Sequence, residues 1–139
     1  MLPESQTCPL KGDGLSPVIL FGVVAINLAL IAYTVGTIAA HRRRRATAFV
    51  LGVFALAVAF DVVATGCMVA GSHKSWLTPH GVVGYLALLV MVVAVVRLWA
   101  LRRQGRDAEI PAGLRTFLRV AYVVWLIAYG IGVALAAMR

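Results

Sequence analysis

The sequence predicts an all-α integral membrane protein, a four-helix up-down-up-down bundle with both termini on the extracytoplasmic side. Of its 139 residues, 62% are hydrophobic and only 13% are charged, whereas soluble domains are about half apolar and a quarter charged. Four apolar runs reach the roughly 20 residues that a membrane-crossing helix needs: 17–40, 46–70, 79–101 and 114–138. They fill most of residues 1–139, so we expect a single membrane domain that is not an enzyme on its own.

The distribution of basic residues predicts the orientation. Ten of the thirteen lysines and arginines lie in or beside the loops that follow the first and third spans. They are Arg42, Arg43, Arg44, Arg45, Arg97, Arg102, Arg103, Arg106, Arg115 and Arg119. The positive-inside rule places these loops in the cytoplasm and both termini outside. Basic residues that bracket apolar spans indicate a bilayer rather than nucleic acid as the partner, with anionic lipid at the Arg-rich loops.

Three of the four spans have a face of small residues, and the third has a recognisable start. The loops between spans are short, which favours antiparallel neighbours. Thr78 suits the N-cap of the third span and Pro79 its first helical position. Small residues let membrane helices approach closely. They recur at 32, 36 and 40 in the first span, at 84, 87 and 94 in the third, and at 128, 132 and 136 in the fourth.

Asp61, in "VAFDVVATGCM" (58–68), is a carboxylate in the middle of an apolar run. Counting residues from the span centres places Asn27 and Tyr129 at similar depth, so the three side chains can form one hydrogen-bonded layer. A charge this deep normally faces the bundle interior and indicates function. The alternative is a neutral or paired Asp that only fixes the helix register.

Helical spacing predicts an inward-facing stripe on three of the spans. The first span repeats polar residues every seven positions, and the stripes of the second and fourth spans combine polar and aromatic residues. The stripes are Asn27, Thr34 and His41; Phe54, Asp61, Thr65 and Met68; and Tyr122, Trp125, Tyr129 and Gly132. Core packing explains such aromatics, although a quinone or another flat cofactor also suits a polar and aromatic interior.

His80 lies in the first turn of the third span, where the positive helix end favours a neutral imidazole. A neutral imidazole binds haem iron or another metal. Cys67, Met68 and His73 lie nearby in sequence, so haem b held by His80 with Met68 or His73, or a copper or zinc ion, is one interpretation. The alternative is a histidine that only forms hydrogen bonds. A disulfide between Cys8 and Cys67 also stays open.

Short motifs occur in three of the spans: "FDVVATGCM" (60–68), "PHGVVGYLALLVM" (79–91) and "VWLIAYGIG" (124–132). In these motifs the sequence resembles HsmA-type proteins, small four-span membrane proteins of prokaryotes. The matching positions are Phe60, Asp61, Ala64, Thr65, Met68, His80, Gly81, Gly84, Met91, Trp125, Leu126, Ile127 and Tyr129. In the family a second histidine follows about fourteen residues after the first, a spacing that resembles paired haem ligands. Ala94 occupies that position here, so the resemblance implies at most one haem site, at His80.

Three functions follow from these patterns. The favoured one is binding of haem or quinone, or service as an accessory subunit of a membrane redox complex. The second is a transporter or proton relay that uses Asp61, and the third is a structural or assembly subunit. We expect a multi-pass protein of the prokaryotic cytoplasmic membrane that forms a homo-oligomer or joins a larger membrane complex, since four helices enclose little space.

Overall fold

The computed structural model describes residues 17–71, 78–106 and 108–138. This part of the chain forms four helices: α1 (Pro17–Arg43), α2 (Ala48–Gly71), α3 (Pro79–Gln104) and α4 (Ala112–Ala137). Each helix is long and apolar enough to cross a membrane, and its ends lie within one turn of the predicted span. The prediction of an all-α fold with four helices long and apolar enough to span a membrane is therefore confirmed.

The helices bury narrow stripes and leave large apolar side chains on the outside. On α2 the buried residues are Val50, Phe54, Ala57, Asp61 and Ala64. They recur at intervals of three and four residues, the spacing of helices that pack at small crossing angles. Valine, leucine and isoleucine dominate the exposed surface of all four helices. That surface suits lipid, because a bilayer solvates apolar side chains.

Helices α1 and α2 make the closest contact in the bundle, and small residues allow it. A Cβ built on Gly36 would lie 3.1 Å from two ring atoms of Phe54. A Cβ built on Gly22 would lie 3.1 Å from the Cβ of Cys67 and 3.4 Å from the carbonyl oxygen of Ala64. The two glycines therefore leave room for side chains of α2 to pack close to the α1 backbone, and small residues of this kind are the usual basis of helix association in membranes.

Helix α3 packs against α4 and α2 and begins as the sequence predicts. Thr78 is its N-cap, with the Thr78 Oγ1 accepting a hydrogen bond of 3.1 Å from the backbone nitrogen of Gly81. Pro79 occupies the first turn, where its missing N–H group leaves no bond unmade. At the other end of the helix, the Arg97 guanidinium lies 5.2 Å from the centroid of the Phe117 ring on α4.

The two Arg-rich connections meet at one end of the molecule. Arg44 ends α1 with a φ of 53°, a left-handed conformation that is uncommon outside glycine. Its carbonyl oxygen accepts a hydrogen bond of 2.8 Å from the nitrogen of Ile110, and the nitrogen of Ala46 donates one of 2.8 Å to the carbonyl of Ala108. Ala46 and Ile110 are both buried, so the junction between these loops is packed as well as hydrogen-bonded.

Candidate functional site

Asp61 is the only buried charged or polar residue in the described part of the chain, with 4% of its surface exposed. Its Oδ2 accepts a hydrogen bond of 2.7 Å from the Trp125 indole nitrogen and one of 3.2 Å from the Tyr33 hydroxyl. Both donors are neutral. They stabilise the carboxylate in an apolar surrounding, where burying an unpaired charge is costly.

The three side chains meet because each lies on the buried stripe of its helix. Tyr33 is the large residue among the glycines and alanines of α1, and Trp125 holds the same place on α4. Their ring centroids lie 4.9 Å apart at an angle of 62°, an edge-to-face geometry that aromatic pairs favour. Phe54 completes the cluster, 6.3 Å from the Tyr33 centroid. The polar contact is therefore enclosed by aromatic rings.

Asn27 and Tyr129 form the hydrogen bond that the depth argument predicts. The Tyr129 hydroxyl donates to the Asn27 Oδ1 at 3.0 Å. The amide nitrogen of Asn27 donates to the carbonyl oxygen of Val23, one turn earlier on α1, at 2.7 Å. Both ends of the Asn27 side chain are therefore hydrogen-bonded, which lets an exposed amide lie at membrane depth.

The predicted single layer of Asp61, Asn27 and Tyr129 is wrong in one respect. Within the described residues, the hydrogen-bond partners of Asp61 are Tyr33 and Trp125, not Asn27 and Tyr129. The reason is position, since Asn27 is exposed at the edge of the bundle whereas Asp61 is at its centre. The two contacts are joined by packing: the rings of Trp125 and Tyr129 stack with centroids 5.7 Å apart.

Hydrogen bonds between α1 and α4 continue along one line, which we call the α1–α4 seam. It consists of Asn27, Thr34 and His41 on α1 and Tyr129, Tyr122 and Arg119 on α4. Residue numbers fall along α4 as they rise along α1. The Thr34 and Tyr122 hydroxyls are 2.8 Å apart, and an Arg119 Nη2 lies 3.0 Å from the His41 Nδ1. The guanidinium is the donor in this contact, because arginine has no acceptor.

His80 packs against α4 rather than into an open site. Its Cε1 and Nε2 both lie 3.0 Å from a Cβ built on Gly132, so a larger residue at position 132 would require the ring to shift. The Nδ1 is buried and has no hydrogen-bond partner among the described residues. Haem binding through His80 stays a prediction.

The other predicted soft ligands are dispersed in the described part of the chain. Met68 is 41% exposed, and its Cγ lies 3.8 Å from a Cβ built on Gly22 of α1, so Met68 and His80 pack on different helices. Cys67 is a half-buried free thiol. No group of three or more His, Cys, Asp or Glu side chains among these residues can hold a metal ion. His73 and Cys8, also predicted to take part here, lie outside the described residues.

Sequence reasoning missed Tyr33 as a partner of Asp61 and treated Trp125 only as part of an aromatic stripe. The sequence contains a pattern from which both residues could have been predicted as buried donors. Each is a large side chain with a polar hydrogen, placed at heptad-like spacing in a stripe otherwise made mostly of small residues. A buried indole N–H or phenol O–H normally has an acceptor, and Asp61 is the only buried carboxylate in the described part of the chain.

Comparison of the chain with protein-family models, with curated proteins and with solved structures finds no match. The resemblance to HsmA-type proteins therefore stays a prediction. The contact of Asp61 with Tyr33 and Trp125 is the feature of this chain that bears most directly on its function.

Proposed function

We propose that this protein is a proton-relay or proton-coupled transport bundle in which Asp61 takes up and releases a proton inside the membrane. The observation that carries the proposal is the buried Asp61 carboxyl group, hydrogen-bonded through Oδ2 by Tyr33 and Trp125. Ionisable residues inside membrane spans are rare and mark ion paths and proton relays.

The surrounding chemistry suits a group that changes its protonation state. Both hydrogen bonds use the Asp61 Oδ2, so a proton can be carried on Oδ1 without displacing either donor. The Tyr33 hydroxyl both donates and accepts, as relay groups must, whereas the Trp125 indole only donates. Tyr33 is next to Thr34 in the chain, which places the Asp61 contact beside the Thr34–Tyr122 contact of the α1–α4 seam.

Proton flux into vesicles tests this function. Purified protein is reconstituted with a pH-sensitive dye inside, and a potassium diffusion potential drives protons inward. We expect Asp61→Asn to lower the flux at least about tenfold, since an amide accepts the same two hydrogen bonds but cannot carry the proton. Thr116→Ala serves as the control, because the Thr116 side chain is exposed and bonds only the carbonyl of Ala112 on its own helix.

Two results would contradict the relay. One is a wild-type flux no higher than that of protein-free vesicles, and the other is an Asp61→Asn flux equal to that of Thr116→Ala. An absorption spectrum of the same preparation tests the redox alternative: a Soret band that is lost in His80→Ala would establish haem binding through that histidine.

We also propose the up-down-up-down topology, with both termini outside a prokaryotic cytoplasmic membrane and the Arg-rich end facing anionic lipid. The backbone bridge between Arg45 and Glu109 supports it, because it holds the first and third loops at one end. Those loops also border an open depression of about 430 Å³ lined by Arg43, Arg44, Arg45 and Glu109. In a variant with Cys8 and Cys67 replaced by serine, a cysteine introduced at position 45 should react with membrane-impermeant maleimide only after the cells are opened.

Assembly into a homo-oligomer or a larger membrane complex is the remaining part of the proposal. The outer face of α2 supports it, because small residues there take no part in packing within the chain. Gly52, Ala55, Ala59 and Gly66 are all exposed and lie on one face, and a Cβ built on either glycine meets nothing within 4 Å. Such faces favour contact between membrane helices. Single-step photobleaching of labelled protein in dilute vesicles would contradict a homo-oligomer.

A further inference from the structure

A small cavity at the Arg-rich end of the α1–α4 seam is lined by donors and cations. Its volume is about 10 Å³, enough for one small atom or water molecule. The lining residues are Thr37, Ala40 and His41 of α1 and Arg115, Leu118 and Arg119 of α4. The lining contains no acidic side chain, so the two guanidinium groups have no counter-charge within this cavity.

Thr37 supplies an independent indication that something binds there. Its Oγ1 is buried and has no hydrogen-bond partner among the described residues. Other threonines in these helices behave differently: the hydroxyls of Thr34 and Thr116 donate to the carbonyl four residues earlier, Leu30 and Ala112 respectively. A buried hydroxyl without a partner is unfavourable, and this one borders a cavity that also has two arginines.

We propose that this cavity is the inner end of an anion site that takes one oxygen of a phosphate group. The Thr37 hydroxyl and the guanidinium groups of Arg115 and Arg119 would donate to the phosphate oxygens, and charge-assisted bonds of this kind are the strong ones. His41 is held beside the site by Arg119 at 3.0 Å. The proposal does not depend on proton relay through Asp61.

The phosphate can come from an anionic phospholipid or from solution, and the position of the site favours the lipid. His41 and Arg119 are exposed at the end of the bundle where the Arg-rich loops meet. Basic pockets between membrane helices at the cytoplasmic side bind anionic headgroups in other proteins. A single headgroup here would bridge α1 and α4, which contact each other less than α1 and α2 do.

Thermal unfolding of the full chain in a zwitterionic detergent tests the site. We expect added phosphatidylglycerol to raise the Tm of the wild type by several degrees. Arg119→Gln and Thr37→Val should each lose most of that shift, and Thr37→Ser should keep it because serine retains the hydroxyl. Arg106→Gln is the matched control, since it removes the same charge from an exposed position in the third loop.

Inorganic phosphate distinguishes the two sources of the anion. A Tm shift with phosphate alone, lost in Thr37→Val, would show that the site takes the free anion. A shift with phosphatidylglycerol but not with phosphate would identify the lipid headgroup. The site is refuted if neither ligand shifts the wild-type Tm, or if Arg106→Gln loses as much of the shift as Arg119→Gln, which would indicate general charge attraction.

Discussion

Replacing Asp61 with leucine is expected to lower the free energy of unfolding by about 2 kcal/mol, because two buried donors then lose their common acceptor. Trp125 donates to this carboxyl at 2.7 Å and Tyr33 at 3.2 Å. An orphaned buried donor costs about 1–3 kcal/mol. Relief from burying a carboxyl group offsets part of that loss, and hydrogen bonds inside membrane proteins average only about 0.6 kcal/mol. The loss should therefore be well below the sum of two full penalties.

Two companion variants separate the hydrogen bonds from simple packing. Asp61→Asn keeps an acceptor oxygen, so its stability should fall by less than about 1 kcal/mol. Adding Tyr33→Phe to Asp61→Leu removes one orphaned donor and should recover about 1 kcal/mol. Reversible unfolding in mixed micelles measures all three. If the double variant is no more stable than Asp61→Leu alone, the Tyr33 hydroxyl is not bonded to Asp61 in the folded protein.

The stability of Asp61→Asn also matters for the proposed function. If this variant folds normally and loses proton flux, the missing property is protonation at residue 61 rather than structure. If it folds normally and the flux is unchanged, Asp61 serves only to join α1, α2 and α4. The hydrogen bonds to Tyr33 and Trp125 suit both roles, and only the amide substitution separates them.

Composition and periodicity were sufficient to predict the four helices and the polar repeat on α1. They did not predict the partners Tyr122 and Arg119, and the expected inward direction of the repeat is wrong for Asn27 and His41, which are exposed. Apolar runs of membrane-spanning length determine the helices, and a seven-residue repeat keeps Asn27, Thr34 and His41 on one side of α1. All three have hydrogen bonds to α4. The pattern could be recognised because polar side chains are rare within membrane spans. Their regular spacing therefore indicates that they share one face of the helix.

The partners of Asp61 were harder to predict, because depth alone does not separate the centre of a bundle from its edge. Asn27 and Tyr129 are at a suitable depth, but they bond each other at the seam. Which side chains reach the centre depends on how closely each helix pair approaches. The glycines of α1 bring α2 close, whereas the large Tyr33 and Trp125 side chains fill the space towards α4.

Gly36 lies on the face of α1 that packs against Phe54 of α2. Gly36→Leu should lower the free energy of unfolding by about 3 kcal/mol, because overpacking a well-filled interface typically costs 1–3 kcal/mol or more. A Cβ at this position would already lie 3.1 Å from two ring atoms of Phe54. Phe54 is fully buried and itself packs against Tyr33, so its ring cannot swing away without disturbing the cluster around Asp61.

Gly130→Leu is the matched control, since a Cβ built there meets nothing within 4 Å and the residue is exposed. Gly36→Ala should fall between the two. The Phe54 ring must shift by a few tenths of an ångström, while alanine gains about 1 kcal/mol of helix propensity over glycine. We therefore expect Gly36→Ala to be near neutral. Equal losses for Gly36→Leu and Gly130→Leu would mean that α1 and α2 do not approach each other as closely as the glycine contacts require. In a variant with Trp76 and Trp99 replaced by phenylalanine, Trp125 fluorescence during unfolding would report whether the Asp61 cluster loosens when α1 and α2 separate.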